Sequence, residues 1–209
     1  MMAHPFPVRL TRPASLNQQA ALEGLYQLHS QGGSAIAAHL PRLRQWAAGC
    51  AVAVEFGVKD GASTTALLLG AQQVISYDLV ATPAARRLEI LAVDRWDYRL
   101  EDSRVATIPP CDLLLLDSLH SYAQVSAELS QAPQVRQYLI FHDTLTFGSV
   151  AADGETGRQA WTYVAGSSVP REHLGIRPAI DDLLVTDRTW RLAAHYTDSH
   201  GLLVLERWS

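Results

Sequence analysis

Two stretches of the sequence gather side chains able to do chemistry. The first reads Glu55-Phe56-Gly57-Val58-Lys59-Asp60-Gly61-Ala62-Ser63, with two glycines set among carboxylates and the hydroxyls of Ser63 and Thr64 just beyond. Gly57 and Gly61 allow the backbone to turn tightly and approach a ligand, and the free amides of a helix start add donors. The second is a pair of acidic positions, Asp117 with His120 three residues on, and His142-Asp143-Thr144. Carboxylate oxygens of this kind suit Mg²⁺, whereas imidazole suits Zn²⁺, Fe²⁺ or Ni²⁺ better and also accepts protons near neutral pH.

The spacing of the first stretch is E-x-G-x-x-x-G rather than G-x-G-x-x-G. A dinucleotide would bring an anionic pyrophosphate between Glu55 and Asp60, which is electrostatically unfavourable. A ligand carrying an ammonium and a sulfonium, such as S-adenosylmethionine, is better matched. Asp78, closing the next apolar run, can accept both hydroxyls of a ribose in either ligand class. Glu101-Asp102-Ser103 follows a third run, where a carboxylate can accept the exocyclic amine of adenine.

Hydrophobic periodicity supplies the elements that must hold these residues. Apolar or β-branched runs at Ala51 to Phe56, Gln73 to Leu79, Tyr98 to Leu100, Asp112 to Asp117 and Tyr138 to Asp143 read as strands. Ala62 to Gly70, the segment after Pro83, and Ser121 to about Ala132 read as helices between them. Strands this apolar are covered on both faces, so the fold class is α/β with a doubly wound, mostly parallel sheet. A helical lead-in is expected before residue 48, with Ser34 capping its second helix, and a last helix over Arg177 to Leu184. Trp190 to Tyr196 and Leu202 to Arg207, joined by Thr197-Asp198-Ser199-His200-Gly201, form an antiparallel C-terminal hairpin. Residues 147–175 are rich in Gly, Ser, Thr and Asp without a period, which suggests a lid or acceptor loop. His173, His195 and His200 bear no spacing relation to the carboxylates and receive no role.

The whole chain of 209 residues, 48% hydrophobic and 18% charged, fits one domain, 1–209. Its net charge of −4 offers no basic field, so no nucleic-acid partner is expected. Neither a membrane span of about 18 apolar residues nor a secretory leader is visible, and a soluble, cytoplasmic protein is the expectation. Cys50 and Cys111 lack the spacing of a zinc site or a disulfide framework and read as buried thiols. The lead-in could pack on its own sheet or on a second subunit, which leaves a homo-oligomer open.

With V-E-F-G-V-K-D-G-A-S, V-I-S-Y-D-L, L-E-D-S and D-L-L-L-L-D-S-L-H-S-Y, the chain resembles the class I S-adenosylmethionine-dependent methyltransferases. It is most similar to the branch containing cephalosporin hydroxylase-like proteins and macrolide sugar O-methyltransferases, through Asp117-Ser118-Leu119-His120-Ser121-Tyr122, His142-Asp143-Thr144 and Gly201 to Arg207. The resemblance implies a Rossmann-like, seven-stranded sheet. It places Glu55, Gly57, Gly61 and Ser63 near the methionyl part of the cofactor, Asp78 at the ribose, and Asp102 with Ser103 at the adenine. It also makes the strands ending in Asp117 and Asp143 neighbours, so that these carboxylates could hold Mg²⁺ or another divalent metal, with His142 a further ligand or a base. His120 is a base or a third ligand.

The function expected is transfer of a methyl group to a hydroxyl of a small molecule such as a sugar or glycosylated metabolite, with His120, His142 and Asp143 as catalytic candidates. Two alternatives remain at this level: a nicotinamide-dependent oxidoreductase and a non-catalytic nucleoside-binding module. Two-histidine, one-carboxylate iron chemistry is also compatible with the spacing.

Overall fold

The computed structural model describes residues 16–92, 94–152 and 173–208. Seven strands form one sheet: β1 (Val52–Phe56), β2 (Gln73–Asp78), β3 (Trp96–Leu100), β4 (Cys111–Leu116), β5 (Val135–His142), β6 (Trp190–Tyr196) and β7 (Leu202–Arg207). Their order is β3-β2-β1-β4-β5-β7-β6. β1 to β5 pair in parallel, whereas β7 runs antiparallel to both β5 and β6. The expected sheet and hairpin are therefore present, with β7 inserted between β5 and β6.

β1 and β4 are wholly buried because helices cover both faces of the sheet, which is why their sequences are unbroken apolar runs. One core holds Leu22 and Tyr26 of α1 (Leu16–Ser30), Leu40 and Leu43 of α2 (Leu40–Ala47), and Ala66 to Leu68 of α3 (Ala62–Gly70). Ala85 and Leu88 of α4 (Pro83–Leu91) complete it. The other joins Val125 of α5 (Tyr122–Glu128) and Ile180 of α6 (Arg177–Thr186) to Val54, Phe56, Leu114 and Leu116. The helical lead-in thus packs on its own sheet. Ser34 does not cap α2: a 3-10 turn at Ala37–His39 intervenes, and α2 starts at Leu40 with Pro41 in its first turn, where the missing N–H costs nothing.

Parallel strands leave their carboxyl ends on one edge, and sheet order reverses between β1 and β4. Loops diverge there and open a crevice. No helix among the described residues is long and apolar enough to cross a membrane. Cys50 and Cys111 are buried and unpaired, their thiols pushed up to about 11 and about 12 by burial. Of the expected lid at 147–175, residues 153–172 lie outside the described residues. Its two flanks meet in a bridge between Val150 and Leu174, and Phe147 and Ala152 reach the crevice.

Candidate functional site

Gly57 fixes the centre of the site. Its φ is +91°, and a Cβ there would lie 2.2 Å from the carbonyl oxygen of Asp117. Only glycine allows the β1–α3 loop to cross this close to the end of β4. Gly61, at φ +81°, opens α3 without a side-chain cap, and Ala62 and Ser63 in the first turn of the helix line the crevice. The result is a cavity of about 870 Å³ bounded by the ends of β1, β2, β4 and β5, the segment Ser34–Ile36 and the hairpin turn.

The residues expected to hold a nucleoside cofactor fall into two groups. Ser63, Asp78, Asp102, Ser103 and Gly57 line the cavity, whereas Glu55 and Gly61 do not. Glu55 lies beneath the floor, fully buried, with one carboxylate oxygen accepting from Thr64 (2.6 Å) and Ser76 (2.7 Å). It braces α3 against β2, and burial pushes its carboxyl up to about 7. Asp78 accepts from the amides of Val58 (2.8 Å), Lys59 (3.0 Å) and Val80 (3.1 Å), so it shapes the glycine loop while facing the cavity. Asp102 is engaged by Arg104 at 2.6 Å. Ser103 donates to the buried Glu128 at 2.5 Å.

At the other end four side chains converge. Ligand atoms of Asp117, His120, His142 and Asp143 all lie within 4.8 Å of one another. Asp117 Oδ1 is 2.9 Å from His142 Nδ1 and 3.3 Å from His120 Nε2, and His120 Nε2 is 3.5 Å from Asp143 Oδ2. Ser121 caps α5 by accepting from the amide of Gln124, which leaves Asp117 to the histidines. Burial opposes charge on Asp117, yet His142 and His120 hold its carboxyl far below the usual range. Burial likewise opposes protonation of His142, but Asp117 outweighs it and raises the imidazole's pKa. Asp143 sits at φ +57°, a strained region for a non-glycine residue, with Oδ1 buried and lacking a hydrogen bond among the described residues, the Nδ1 atoms of His142 and His200 each standing 3.5 Å away. The spacings resemble the ~3 Å edges between donor atoms around an ion bound at about 2.1 Å. Two imidazoles with two carboxylates fit a divalent transition metal better than Mg²⁺.

Three residues escaped the sequence reading. His200, given no role there, lines the cavity with Nδ1 3.5 Å from Asp143 Oδ1 and 2.8 Å from Thr146 Oγ1. No sequence spacing could reveal it, because β7 brings the hairpin turn back across β5. His39 is fully buried with its ring edge-on to His142 at 5.6 Å, and burial lowers it to about 4. Arg42 links it to Asp198 at 2.7 Å, and Ser199 donates to Ala35 at 3.0 Å, so the hairpin pins the wall at Ser34–Ile36. Glu128 is the third. Of the aromatics that could line a pocket, Trp190 is core and Tyr122 bonds Asp182; Trp161 and Tyr163 lie outside the described residues.

No protein-family model matches the chain, and no curated protein matches it. Solved structures share its frame. The Burkholderia thailandensis 1,6-didemethyltoxoflavin-N1-methyltransferase, with 1,6-didemethyltoxoflavin and S-adenosylhomocysteine bound, aligns over 99% of this chain and 100% of its own, with TM-score 0.57 and 15% identity. The N-methyltransferase NodS from Bradyrhizobium japonicum WM9, in complex with S-adenosyl-L-homocysteine, aligns over 91% and 97%, with TM-score 0.56 and 14% identity. An rRNA methylase from Streptococcus thermophilus aligns over 84% and 98%, with TM-score 0.53 and 11% identity. The fold is the Rossmann-like methyltransferase fold. It serves small-molecule and RNA enzymes alike, so the expectation of no nucleic-acid partner rests on charge alone.

Proposed function

We propose that the protein is an S-adenosylmethionine-dependent O-methyltransferase acting on a hydroxyl of a small molecule, such as a sugar or glycosylated metabolite. One observation carries this reading. A single cavity joins the glycine loop, Asp78 and Ser103 at one end to the carboxylate and histidine cluster at the other. The first end offers an acidic surface for a cationic nucleoside, and the second offers groups that take a proton and orient an oxygen.

The cofactor supplies an electrophilic methyl group on a sulfonium. Gly57 and Ser63 border its methionyl part, Asp78 accepts from the ribose, and Asp102 with Ser103 flanks the base. Bound there, the cofactor would offer that methyl carbon to the acceptor oxygen with the thioether as leaving group, and the acceptor's proton would pass to the protein. His120 is better placed for that proton than His142, whose Nδ1 faces Asp117 and whose side chain is only 2% exposed. Asp143 and His200 orient the hydroxyl, and proximity supplies much of the rate. In place of a histidine base, a divalent ion held by Asp117, His120, His142 and Asp143 would acidify the same hydroxyl.

Calorimetric titration of metal-stripped protein with S-adenosylhomocysteine, repeated with Zn²⁺ and with Mg²⁺, tests the reading. Micromolar binding is expected, with Zn²⁺ adding more heat than Mg²⁺. Absence of binding, accompanied by binding of NADH, would return the site to the nicotinamide class. Cofactor binding without methylation of any hydroxylated acceptor would favour a nucleoside-binding module.

A further inference from the structure

The buried carboxylate of Glu128 faces away from the cavity, yet it organises the cavity's wall. Its Oε1 accepts from Ser103 Oγ (2.5 Å), Ser118 Oγ (2.5 Å) and Gln124 Nε2 (2.8 Å), and all three donors line the cavity. Gln124 Nε2 also donates to Ser103 Oγ at 3.0 Å. Both hydroxyl protons and both amide protons are thereby spent inside the protein. What remains to face a ligand is the acceptor side of each group, the lone pairs of Ser118 and the carbonyl of Gln124. Asp102, beyond them, adds a further acceptor.

Burial lifts the carboxyl of Glu128 above its ordinary range while the three hydrogen bonds pull it back. Its Oε2 is buried and unpartnered among the described residues. A proton taken up by Glu128 would therefore sit on Oε2 and leave Oε1 accepting, so the polarity of the wall is the same in either state.

We infer that Glu128 is a positioning residue that selects a 6-aminopurine nucleoside over a 6-oxopurine one, by turning Ser103, Ser118 and Gln124 into an acceptor-only wall at the base end of the cavity. The inference rests on the nucleoside-cofactor reading above. An exocyclic amine meets acceptors on this wall. A 6-oxo group meets lone pairs facing its own on these three side chains, and none of their protons can turn to meet it without leaving Glu128 short of a donor.

The test compares binding of S-adenosylhomocysteine and S-inosylhomocysteine by calorimetry in the wild type, Glu128→Met and Gln124→Met. The wild type should prefer the adenosyl ligand by about tenfold or more. In Glu128→Met no acceptor remains behind the wall, so the hydroxyls of Ser103 and Ser118 and the amide of Gln124 can turn their protons to the cavity, and the preference should fall below about threefold, chiefly through tighter binding of the inosyl ligand. A purely structural role would weaken both ligands together and leave their ratio unchanged, which overturns the inference. Gln124→Met, whose side chain has a similar volume, should also lower the ratio and decides the matter if Glu128→Met does not fold. Equal wild-type affinity for the two ligands sinks the inference while the cofactor reading stands; wild-type binding of neither ligand sinks both.

Discussion

The two ends of the cavity are built on opposite electrostatic plans. At the β1–β2–β3 end, Asp78 is met by three amides and Asp102 by Arg104. At the β4–β5 end, two carboxylates and three imidazoles crowd together, and Asp143 Oδ1 is buried with no hydrogen bond among the described residues, only imidazole nitrogens of His142 and His200 at 3.5 Å. A satisfied surface binds without rearranging, whereas an unsatisfied one gains free energy when a proton, an ion or a substrate hydroxyl completes it. In the proposed reaction this contrast assigns binding to one end of the cavity and chemistry to the other.

Gly57→Ala should have the largest effect, because it strikes the seam between the two ends. A Cβ facing the Asp117 carbonyl, at a φ that L residues avoid, should cost about 3 kcal/mol or more and abolish S-adenosylhomocysteine binding. Denaturant unfolding measures the cost, and a near-native midpoint would mean that the loop and β4 do not approach this closely. A double comparison comes next. Asp143→Ala should lower turnover by about 100-fold or more while cofactor affinity stays within about threefold. Asp78→Ala should do the reverse, weakening S-adenosylhomocysteine by about 10-fold or more and sparing turnover at saturating cofactor. If both variants lose binding and turnover in parallel, the division between the ends fails.

The smallest effect concerns two buried groups behind the wall and floor. Glu55, raised from 4.5 to about 7, keeps a proton when folded that the unfolded chain has released. Its contribution to stability is full below pH 4.5 and is lost as pH rises through 7. His39, lowered from 6.5 to about 4, refuses a proton that the unfolded chain takes up. Its contribution is full above pH 6.5 and is lost as pH falls toward 4. Between these values the slopes oppose each other. In Glu55→Gln the melting temperature should therefore climb more steeply from pH 4.5 to 6.5 than in the wild type and should not decline toward pH 7.5. Superimposable profiles would show that Glu55 is ionised alike in both states.

The frame was legible because it rests on local pattern. The hairpin strands Trp190–Tyr196 and Leu202–Arg207 and the helix Ala62–Gly70 fall where alternation and helical spacing place them. β5 starts three residues earlier than its apolar run because exposed Arg136 and Gln137 interrupt the pattern while the strand still pairs with β4. In the site, Asp117 and Asp143 could be found because each closes an apolar strand. Long-range packing hid the rest. Glu55 reads as a ligand residue next to its glycines, yet strand alternation turns it under the floor. Glu128 looks like an ordinary helical carboxylate until α5 packs behind Ser103 and Ser118.

β6 joins the sheet only through β7, which pairs with β5 and is the last of the seven strands to be synthesised. An emerging nascent chain can assemble the nucleoside end from its first strands while the reactive end still lacks His200 and the hairpin that pins Ser34–Ile36. Order of synthesis therefore withholds the crowded, charge-dense half of the cavity until the surrounding sheet is ready to enclose it.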